Sequence, residues 1–269
     1  MCCYGRPDVQ AIVYKLARYQ ENPSKVHIMA ARRVIGYLLK TKSRKLTFGK
    51  QKMPGVLNTF VDSSFADCPA TGRSSGGYVH FLFGSYLSSR SFKLNCVTRS
   101  VTEAEFYTMS AAAADSIYFR NFFNDTLRPI CVNSNKFSGG EGTKRKFDEI
   151  KVVPVVRTNK ENFHDVLLSK EVHPFRYMKE EDTFIHCDNA SAINQAQKGA
   201  NKRSKHIRIH QSYIWEQIHI FKRVVVLKVD TKYNPADLQT KPLNAELYNR
   251  HTRTIMGERD CFVKFASGD

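Results

Sequence analysis

The sequence predicts an α/β fold preceded by a short helical segment. Apolar residues recur at helical spacing in the first 42 residues, and from Gly55 onwards they alternate with polar residues as they do in strands. Three strand-like segments follow one another directly, and a long helical stretch separates them from two further strand-like segments. Consecutive strands followed by alternating strands and helices are typical of an α/β sheet.

The composition indicates a polyanionic partner. The 269 residues include 42 Lys and Arg against 25 Asp and Glu, a formal net charge of +17. Nucleic acid is favoured over an anionic membrane surface, because no basic amphipathic helix with bulky apolar anchors is visible. No apolar run approaches the roughly 18 residues of a membrane span, and the N-terminus lacks the apolar core of a secretory signal. We therefore expect an intracellular protein that binds nucleic acid.

Two helices are predicted at the N-terminus, over residues 8–20 and 22–42. In the second helix, Asn22 is suited to the N-cap and Pro23 to the first helical position. Apolar residues then recur at helical spacing. These helices form a segment ahead of the sheet.

Three strands and a long helix come next. Because consecutive strands usually pair with one another, the three strands are expected to lie side by side and antiparallel. The second and third form a hairpin around Gly84 and Ser85. Ser100 or Thr102 is expected to cap the long helix. The predicted bounds are 56–62, 77–83 and 86–92 for the strands and 101–127 for the helix.

A polar stretch over residues 132–182 interrupts this pattern. Asn, Ser, Gly, Lys and Glu dominate it and its apolar periodicity is weak, so it is predicted to be a long, mobile insertion. The elements predicted after it are a strand over 183–188, helices from 190 and over about 207–220, a last strand over 223–230 and a helix that starts near 237.

Acidic residues lie at the ends of these predicted elements, although the chain as a whole is basic. Strand ends and helix starts form the functional edge of an α/β sheet. Carboxylates brought together at such an edge would repel one another unless cations neutralised them, and oxygen ligands suit hard divalent ions such as Mg²⁺ or Mn²⁺. The residues concerned are Asp62, Glu105, Asp188 and Asp237.

Each of these acids also has an explanation that requires no metal. Asp62 could end a strand, and Asp188 could belong to a turn. Glu105 could interact favourably with a helix N-terminus, and Asp237 could be an ordinary first-turn acid after Pro235. Taken singly, the structural role is the better interpretation. Taken together, in this order along a basic chain, the acids favour a metal site.

Six short motifs, in order along the chain, resemble the ribonuclease H domain of copia-class LTR-retrotransposon polyproteins. They are FVDSSFA at 60–66, GRSSGGY at 72–78, TRSVTEAEF at 98–106, CDNASAI at 187–193, SKHI at 204–207 and ADLQTKPL at 236–243. Three stretches near the N-terminus, RPDV at 6–9, NP at 22–23 and ARRVIGYL at 31–38, resemble the connection segment between the polymerase and that domain. The resemblance covers most of the chain except 132–182.

The resemblance implies a ribonuclease H-like fold, with a five-stranded mixed sheet flanked by helices. It implies a helical connection segment at 1–52, a ribonuclease H-like domain at 53–247 that contains the insertion, and a C-terminal helix and tail at 248–269. The four catalytic, metal-binding acids of the family match Asp62, Glu105, Asp188 and Asp237. Glu103 is a rival for the second position, but Glu105 matches the family glutamate that precedes an aromatic residue.

The implied activity is hydrolysis of the RNA strand of RNA–DNA hybrids with two Mg²⁺ or Mn²⁺ ions. The implied partners are the hybrid and a reverse transcriptase polymerase domain, and the implied location is the cytoplasm, in a virus-like particle, or the nucleus. The motifs and the basic run between residues 198 and 223 predict a nucleic-acid interface. Its expected residues are Arg73, Ser74, Asn189, Lys202, Arg203, Lys205 and His206.

Two alternatives remain open. A host-retained chain could keep the fold as a nucleic-acid-binding module with weak or no cleavage. The long insertion favours this mildly, as does the loop at 230–234, which lacks the histidine found there in cellular and retroviral ribonucleases H. An integrase or transposase of the same fold would need three acids, with a late glutamate for which Glu246 is the convenient candidate.

Overall fold

The computed structural model describes residues 5–48, 57–127, 151–152, 173–174, 183–198 and 207–258. Within these ranges the strands are β1 (Leu57–Ser64), β2 (Ser75–Leu82), β3 (Ser85–Lys93), β4 (Lys151–Val152), β5 (His173–Pro174), β6 (Thr183–Cys187) and β7 (Val224–Lys228). The helices are α1 (Gln10–Ala17), α2 (Lys25–Lys40), α3 (Val101–Phe122), α4 (Ala190–Lys198), α5 (Arg208–Trp215), α6 (Asp237–Thr240) and α7 (Ala245–Ile255). None of the described helices is long and apolar enough to cross a membrane.

Five strands form one mixed sheet in the order β3-β2-β1-β6-β7. The first three strands along the chain are antiparallel neighbours, and β6 and β7 run parallel to β1. Apolar residues of α3, α4 and α5 pack on one face, and those of α6 and α7 pack on the other. The predicted fold class, a five-stranded mixed sheet flanked by helices, is confirmed.

The central strand, β1, is buried on both faces. Phe60 packs in a core with Leu238 of α6, whereas the next residue, Val61, packs in a second core with Met109 of α3. This alternation follows the period of two that every strand has. The side chains at the end of β1 are therefore held between two packed layers.

Two buried polar residues of β1 are paired with histidines. Asn58 Oδ1 lies 2.9 Å from His186 Nε2, and Thr59 Oγ1 lies 2.8 Å from His80 Nδ1. Burial lowers the pKa of both His80 and His186 to about 3, so both rings are neutral. These histidines satisfy buried polar groups and have a structural role.

The hairpin turn between β2 and β3 lies one residue earlier than predicted, at Phe83 and Gly84. Both residues have positive φ angles, 50° and 71°. Two successive positive φ angles are typical of the type I′ turn, whose twist matches that of the flanking strands.

Helix α3 begins where the sequence predicts. Ser100 Oγ accepts a hydrogen bond from the backbone N of Glu103 at 3.1 Å, so Ser100 and not Thr102 is the N-cap. The α-helix ends at Phe122, and the chain continues as a wider π turn over Phe123–Leu127. The predicted end of the helix coincides with the end of that turn.

Helix α2 begins at Lys25, and the prediction that Asn22 caps it is wrong. The N-cap is Ser24, whose backbone N donates to His27 Nδ1 at 3.1 Å. A reciprocal cap needs an acceptor three residues after the capping residue. His27 supplies that acceptor for Ser24, whereas the residue three positions after Asn22 is Lys25, which can only donate.

The N-terminal segment packs against the sheet. Gln10 Nε2 donates to the backbone O of Ser89 in β3 at 2.9 Å, and Gln239 Nε2 of α6 donates to the backbone O of Pro7 at 3.2 Å. These bonds join residues far apart in the chain, so they fix the segment next to α6.

Asp8 is the buried centre of this contact and is only 3% exposed. Its Oδ2 accepts from Arg6 Nη2 at 2.8 Å and from the Tyr37 hydroxyl at 2.7 Å. Its backbone O accepts from the Tyr248 hydroxyl of α7 at 3.2 Å. One acid thus links the N-terminus, α2 and α7.

Most of the insertion predicted at 132–182 lies outside the described residues. Its described part is an antiparallel pair, β4 and β5. The predicted mobility of this stretch concerns residues that are not described.

Candidate metal centre

The sheet topology brings three predicted acids to one edge. Val61 of β1 is in register with Cys187 of the parallel strand β6, so the residues that follow them, Asp62 and Asp188, lie side by side. Asp237 is the first residue of α6, which packs against β1 and β2. One carboxylate oxygen from each of Asp62, Asp188 and Asp237 lies within 4.8 Å of the others.

Glu105, from the second turn of α3, joins this group through Asp188. Ligand atoms of Glu105, Cys187 and Asp188 lie within 4.8 Å of one another, and Glu105 Oε1 accepts a hydrogen bond from the backbone N of Ser63 at 3.2 Å. Asp188 is therefore shared by two overlapping groups of possible ligands, one that contains Glu105 and one that contains Asp62 and Asp237.

The rival residue Glu103 has a different role. Its Oε2 accepts a hydrogen bond from the backbone N of Arg99 at 2.6 Å, at the start of α3. Among the described residues, the clusters that could hold a metal include Glu105 and not Glu103. The structure thus favours Glu105 at the second position.

Two residues with no role assigned from the sequence contact these acids. Thr240 Oγ1 donates a hydrogen bond to Asp62 Oδ2. Lys241 Nζ lies 3.4 Å from Asp62 Oδ1 and 3.0 Å from Asp237 Oδ1. The sequence contained a signal for both residues, because positions three and four after Asp237 lie on the same side of one helical turn.

A third residue missed by sequence reasoning is Thr231, in the loop before Asp237. Its hydroxyl donates to Asp188 Oδ2 at 2.8 Å. In the same loop, Asn234 Nδ2 donates to the backbone O of Val61 at 2.8 Å, which ties the loop to β1. The loop at 230–234, which contains no histidine, therefore places the hydroxyl of Thr231 against the carboxylate of Asp188.

Burial and mutual repulsion make ionisation of these acids unfavourable. Burial raises the pKa of Glu105 well above its usual range, and the charges of Asp62 and Asp188 raise it further. Burial, followed by the charge of Asp62, raises the pKa of Asp237 to about 7. Burial also raises the pKa of Asp62. A cation that binds between these carboxylates therefore offsets their repulsion and stabilises their ionised form.

Lys241 is the cation that the described residues supply. Partial burial lowers its pKa, but the negative charges of Asp62 and Asp237 outweigh this effect, so the pKa is raised. The ammonium is therefore fully charged at neutral pH.

The ligand set fits hard divalent ions. Asp237 Oδ1 is buried and accepts no hydrogen bond of standard geometry, although Lys241 Nζ lies at ion-pair distance. Carboxylate oxygens with unfilled acceptor capacity suit Mg²⁺ or Mn²⁺. Burial raises the pKa of the Cys187 thiol, so this soft donor stays protonated beside them. Asp62, Glu105, Asp188 and Asp237 are the residues that could hold such ions.

The residues predicted to contact nucleic acid fall into three groups. Arg73 is half-buried, and Asn189 is half-buried with its Oδ1 accepting from the backbone N of Ala192 at 3.0 Å, which caps α4. Ser74 is fully buried, and its Oγ accepts from the backbone N of Ala66 and pairs with the Thr98 hydroxyl. Ser74 thus exposes no atom to a nucleic acid. Lys202, Arg203, Lys205 and His206 lie outside the described residues.

The chain is similar in sequence to several known proteins. The chain is 25% identical over 237 residues to the retrovirus-related Pol polyprotein from transposon TNT 1-94 of Nicotiana tabacum, an alignment that covers 88% of this chain and 14% of the polyprotein. It is 33% identical over 116 residues to a secreted RxLR effector protein of Plasmopara viticola, which covers 42% of this chain and 79% of that protein. No family model matches the chain.

Among solved structures, the chain resembles LC11-RNase H1 in complex with an RNA/DNA hybrid. The match has a TM-score of 0.39 and 11% identity, and it covers 68% of this chain and 93% of that one. The relationship of the chain to known proteins is inferred from its sequence relatives and from the topology of its sheet, and not from this structural match. The chain is a homologue of the retrovirus-related Pol polyproteins of transposons, and it has the five-stranded mixed sheet predicted from its resemblance to their ribonuclease H domain.

Proposed function

We propose that the chain is a metal-dependent endonuclease that hydrolyses the RNA strand of RNA–DNA hybrids. The observation that carries this proposal is the convergence of Asp62, Asp188 and Asp237 within 4.8 Å, with Glu105 joined to them through Asp188. The four acids are far apart in the sequence, come from different elements, and meet at one edge of the sheet. The resemblance of the six motifs to the ribonuclease H domain of retrotransposon polyproteins, together with the sequence similarity to Pol polyproteins, supports the choice of substrate.

Each acid has a defined part in this proposal. Asp188 belongs to both groups of possible ligands, so it would help to hold an ion in either group. Asp62, Asp188 and Asp237 would hold one ion, and Glu105 and Asp188 the other. Divalent ions held by these carboxylates would supply the chemistry of hydrolysis, namely activation of a water and stabilisation of the leaving oxygen at the scissile phosphate.

The neighbouring side chains orient these acids. Thr240 fixes Asp62 through its hydroxyl, and Thr231 fixes Asp188. Burial of Asp62, Glu105 and Asp237 limits the competition of water for these three carboxylates, which strengthens their attraction for cations. The protein thus supplies placement and negative charge.

An RNA–DNA hybrid is the proposed substrate. Recognition would depend on backbone charge, duplex shape and the 2′-hydroxyl rather than on base sequence. The net charge of +17 supports a polyanionic substrate, and Arg73 and Asn189 are the described residues proposed to contact it. In a longer polyprotein, a polymerase domain would deliver the hybrid.

Cleavage of a labelled hybrid on a gel tests the proposal. The full chain with Mg²⁺ is expected to cut the RNA strand, and Asp188→Asn is expected to reduce the rate at least about a hundredfold, because it removes the shared ligand. Asp230→Asn is the matched control, since Asp230 is an exposed acid with a side chain 54% exposed that pairs with Lys232.

The same assay separates the alternatives. Binding of the hybrid without cleavage in either Mg²⁺ or Mn²⁺ would contradict the enzyme and support the nucleic-acid-binding module. Cutting of duplex DNA in preference to the hybrid would support an integrase or transposase activity.

A further inference from the structure

The ammonium group of Lys241 lies between two of the proposed metal ligands. Its Nζ is 3.0 Å from Asp237 Oδ1 and 3.4 Å from Asp62 Oδ1, and the side chain is 32% exposed. The backbone N of Lys241 donates to the backbone O of Asp237 at 3.2 Å, which closes the helical turn of α6. The turn therefore directs the lysine to the gap between the two carboxylates.

Positive charge is unevenly distributed over the site. Asp62 and Asp237 share the ammonium of Lys241. In contrast, no basic side chain of the described ranges lies within ion-pair distance of Glu105, and Asp188 accepts its contact from the neutral hydroxyl of Thr231. One half of the carboxylate cluster is thus neutralised by the protein, and the other half is not.

The following inference about Lys241 rests on the proposed function, in which the four carboxylates hold divalent ions. We propose that Lys241 is a built-in counter-ion of the metal centre, which holds Asp62 and Asp237 together in the metal-free protein. A divalent ion that enters between these two carboxylates has to displace the ammonium. The first ion therefore binds on the side of Glu105 and Asp188, and the second binds more weakly because it competes with Lys241.

Isothermal titration calorimetry of the full chain with Mn²⁺, in the absence of nucleic acid, tests this inference. Wild type is expected to show two binding events of unequal affinity. Lys241→Gln removes the competing charge at a distance of a few ångströms, so it is expected to tighten the weaker event at least about tenfold. Lys241→Arg retains the charge and is expected to keep the two events apart.

A surface lysine provides the matched control. Lys232 pairs with Asp230 at 3.7 Å, and both side chains are more than half exposed, at 51% and 54%. Lys232→Gln changes the net charge by the same amount as Lys241→Gln, at a lysine that pairs with Asp230 and not with one of the four acids. It is expected to leave both binding events unchanged, which would show that position and not net charge is responsible.

The melting temperature without metal provides a second measurement. Lys241→Gln is expected to melt at a lower temperature than wild type in chelator, because Asp62 and Asp237 lose their cation, and to gain more than wild type from added Mn²⁺. This readout applies even if the variant is partly unfolded without metal.

The outcomes distinguish this inference from the proposed function. Equal or weaker Mn²⁺ binding by Lys241→Gln, with two events in wild type, overturns the role of Lys241 and leaves the metal centre intact. Absence of Mn²⁺ binding by wild type overturns the metal centre itself.

Discussion

At the scale of single residues, Asp237 shows how the site opposes its own ionisation. Burial and the charge of Asp62 raise its pKa to about 7. A carboxyl whose pKa is raised on folding stabilises the protein fully below its unfolded-state pKa of about 3.9, and this stability is lost as the pH rises towards the folded value. The metal-free protein should therefore lose stability from this group between about pH 4 and pH 7.

Asp237→Asn tests this pH dependence. In chelator, the variant is expected to match wild type in free energy of unfolding near pH 3.5, where the carboxyl is mostly protonated in both the native and the unfolded protein. It is expected to be more stable than wild type near pH 8, where wild type carries the unfavourable charge. Chemical denaturation at the two pH values measures the difference. A wild type that is the more stable of the two near pH 8 would contradict the raised pKa.

The unfolding free energy of a Thr240→Val variant shows whether Asp62 is charged in the native protein. The hydroxyl of Thr240 is fully buried and donates to Asp62 Oδ2. Thr240→Val keeps the shape and removes the donor, so it is expected to cost about 1.5–3 kcal/mol of unfolding free energy, the range for a hydrogen bond to a charged group. Denaturant titration measures this cost.

Thr108→Val is the control for that substitution. Thr108 is also fully buried, but its hydroxyl donates to a neutral acceptor, the backbone O of Ala104, at 3.0 Å. The expected cost is about 0.5–1.5 kcal/mol. Equal costs for the two variants would mean that Asp62 is not held in its charged form.

The position of Lys241 illustrates the limit of sequence reasoning for single residues. Its place one helical turn after Asp237 was readable, but its contact with Asp62 joins residues 179 positions apart. The contact between Thr231 and Asp188 spans 43 positions. Such contacts depend on the directions of side chains across the sheet, which local patterns do not specify.

At the scale of elements, the close approach of α6 to β2 places Asp237 beside Asp62. Gly77 of β2 is opposite Asp62 in the antiparallel register. A Cβ at Gly77 would lie 2.6 Å from Gln239 Cβ and 2.7 Å from Thr240 Cγ2. Only a glycine leaves room for α6 at this position.

Gly77→Ala is therefore expected to displace α6 and to weaken the metal centre. The expected effects are a loss of about 1–3 kcal/mol of stability, from overpacking, and weaker Mn²⁺ binding. Denaturation and calorimetry measure the two effects. Gly36→Ala is the control, because a Cβ added at this position of α2 would have nothing within 4 Å, and the substitution is expected to stabilise the helix by up to about 1 kcal/mol. Unchanged Mn²⁺ affinity in Gly77→Ala would show that α6 does not position a ligand.

Most elements were predictable because their signals are local. Alternation located β1, β2 and β3 to within two residues, and a Ser cap located the start of α3. The start of α2 was not predictable from propensity alone. Asn22 and Ser24 are both good N-caps, and the choice was decided by the side chain of His27, which accepts the reciprocal hydrogen bond.

At the scale of the whole molecule, Asp8 joins the N-terminal segment to the C-terminal helix α7. This buried acid accepts from Arg6 and Tyr37, and its backbone accepts from Tyr248. Asp8→Ala would leave the mostly buried guanidinium of Arg6 without its carboxylate partner. The expected cost is about 3–5 kcal/mol of unfolding free energy.

A surface ion pair provides the comparison for Asp8. Glu246 pairs with Arg250 at 3.2 Å, but its side chain is 81% exposed. Glu246→Ala is expected to cost no more than about 1 kcal/mol. Thermal and chemical denaturation compare the two variants, and similar small losses would mean that the N-terminal segment is not an integral part of the fold.

The sequence was sufficient to predict which acids form the site, but not the distances between them. The path of the chain explains this difference. Asp62 and Asp188 each follow a strand, and parallel strands end at the same edge, so their meeting follows from topology. The distance of Glu105 and Asp237 from this pair depends on how α3 and α6 pack. That packing is set by long-range contacts such as the fit of α6 over Gly77.

The convergence of the carboxylates as a divalent-ion site is tested most directly by a crystal of the full chain soaked in Mn²⁺, with anomalous scattering recorded. An anomalous peak is expected within about 2.5 Å of an Asp188 oxygen, with oxygens of Asp62 and Asp237 or of Glu105 completing its coordination. Anomalous peaks only elsewhere on the protein, with these carboxylates bound to no ion at saturating Mn²⁺, would contradict it.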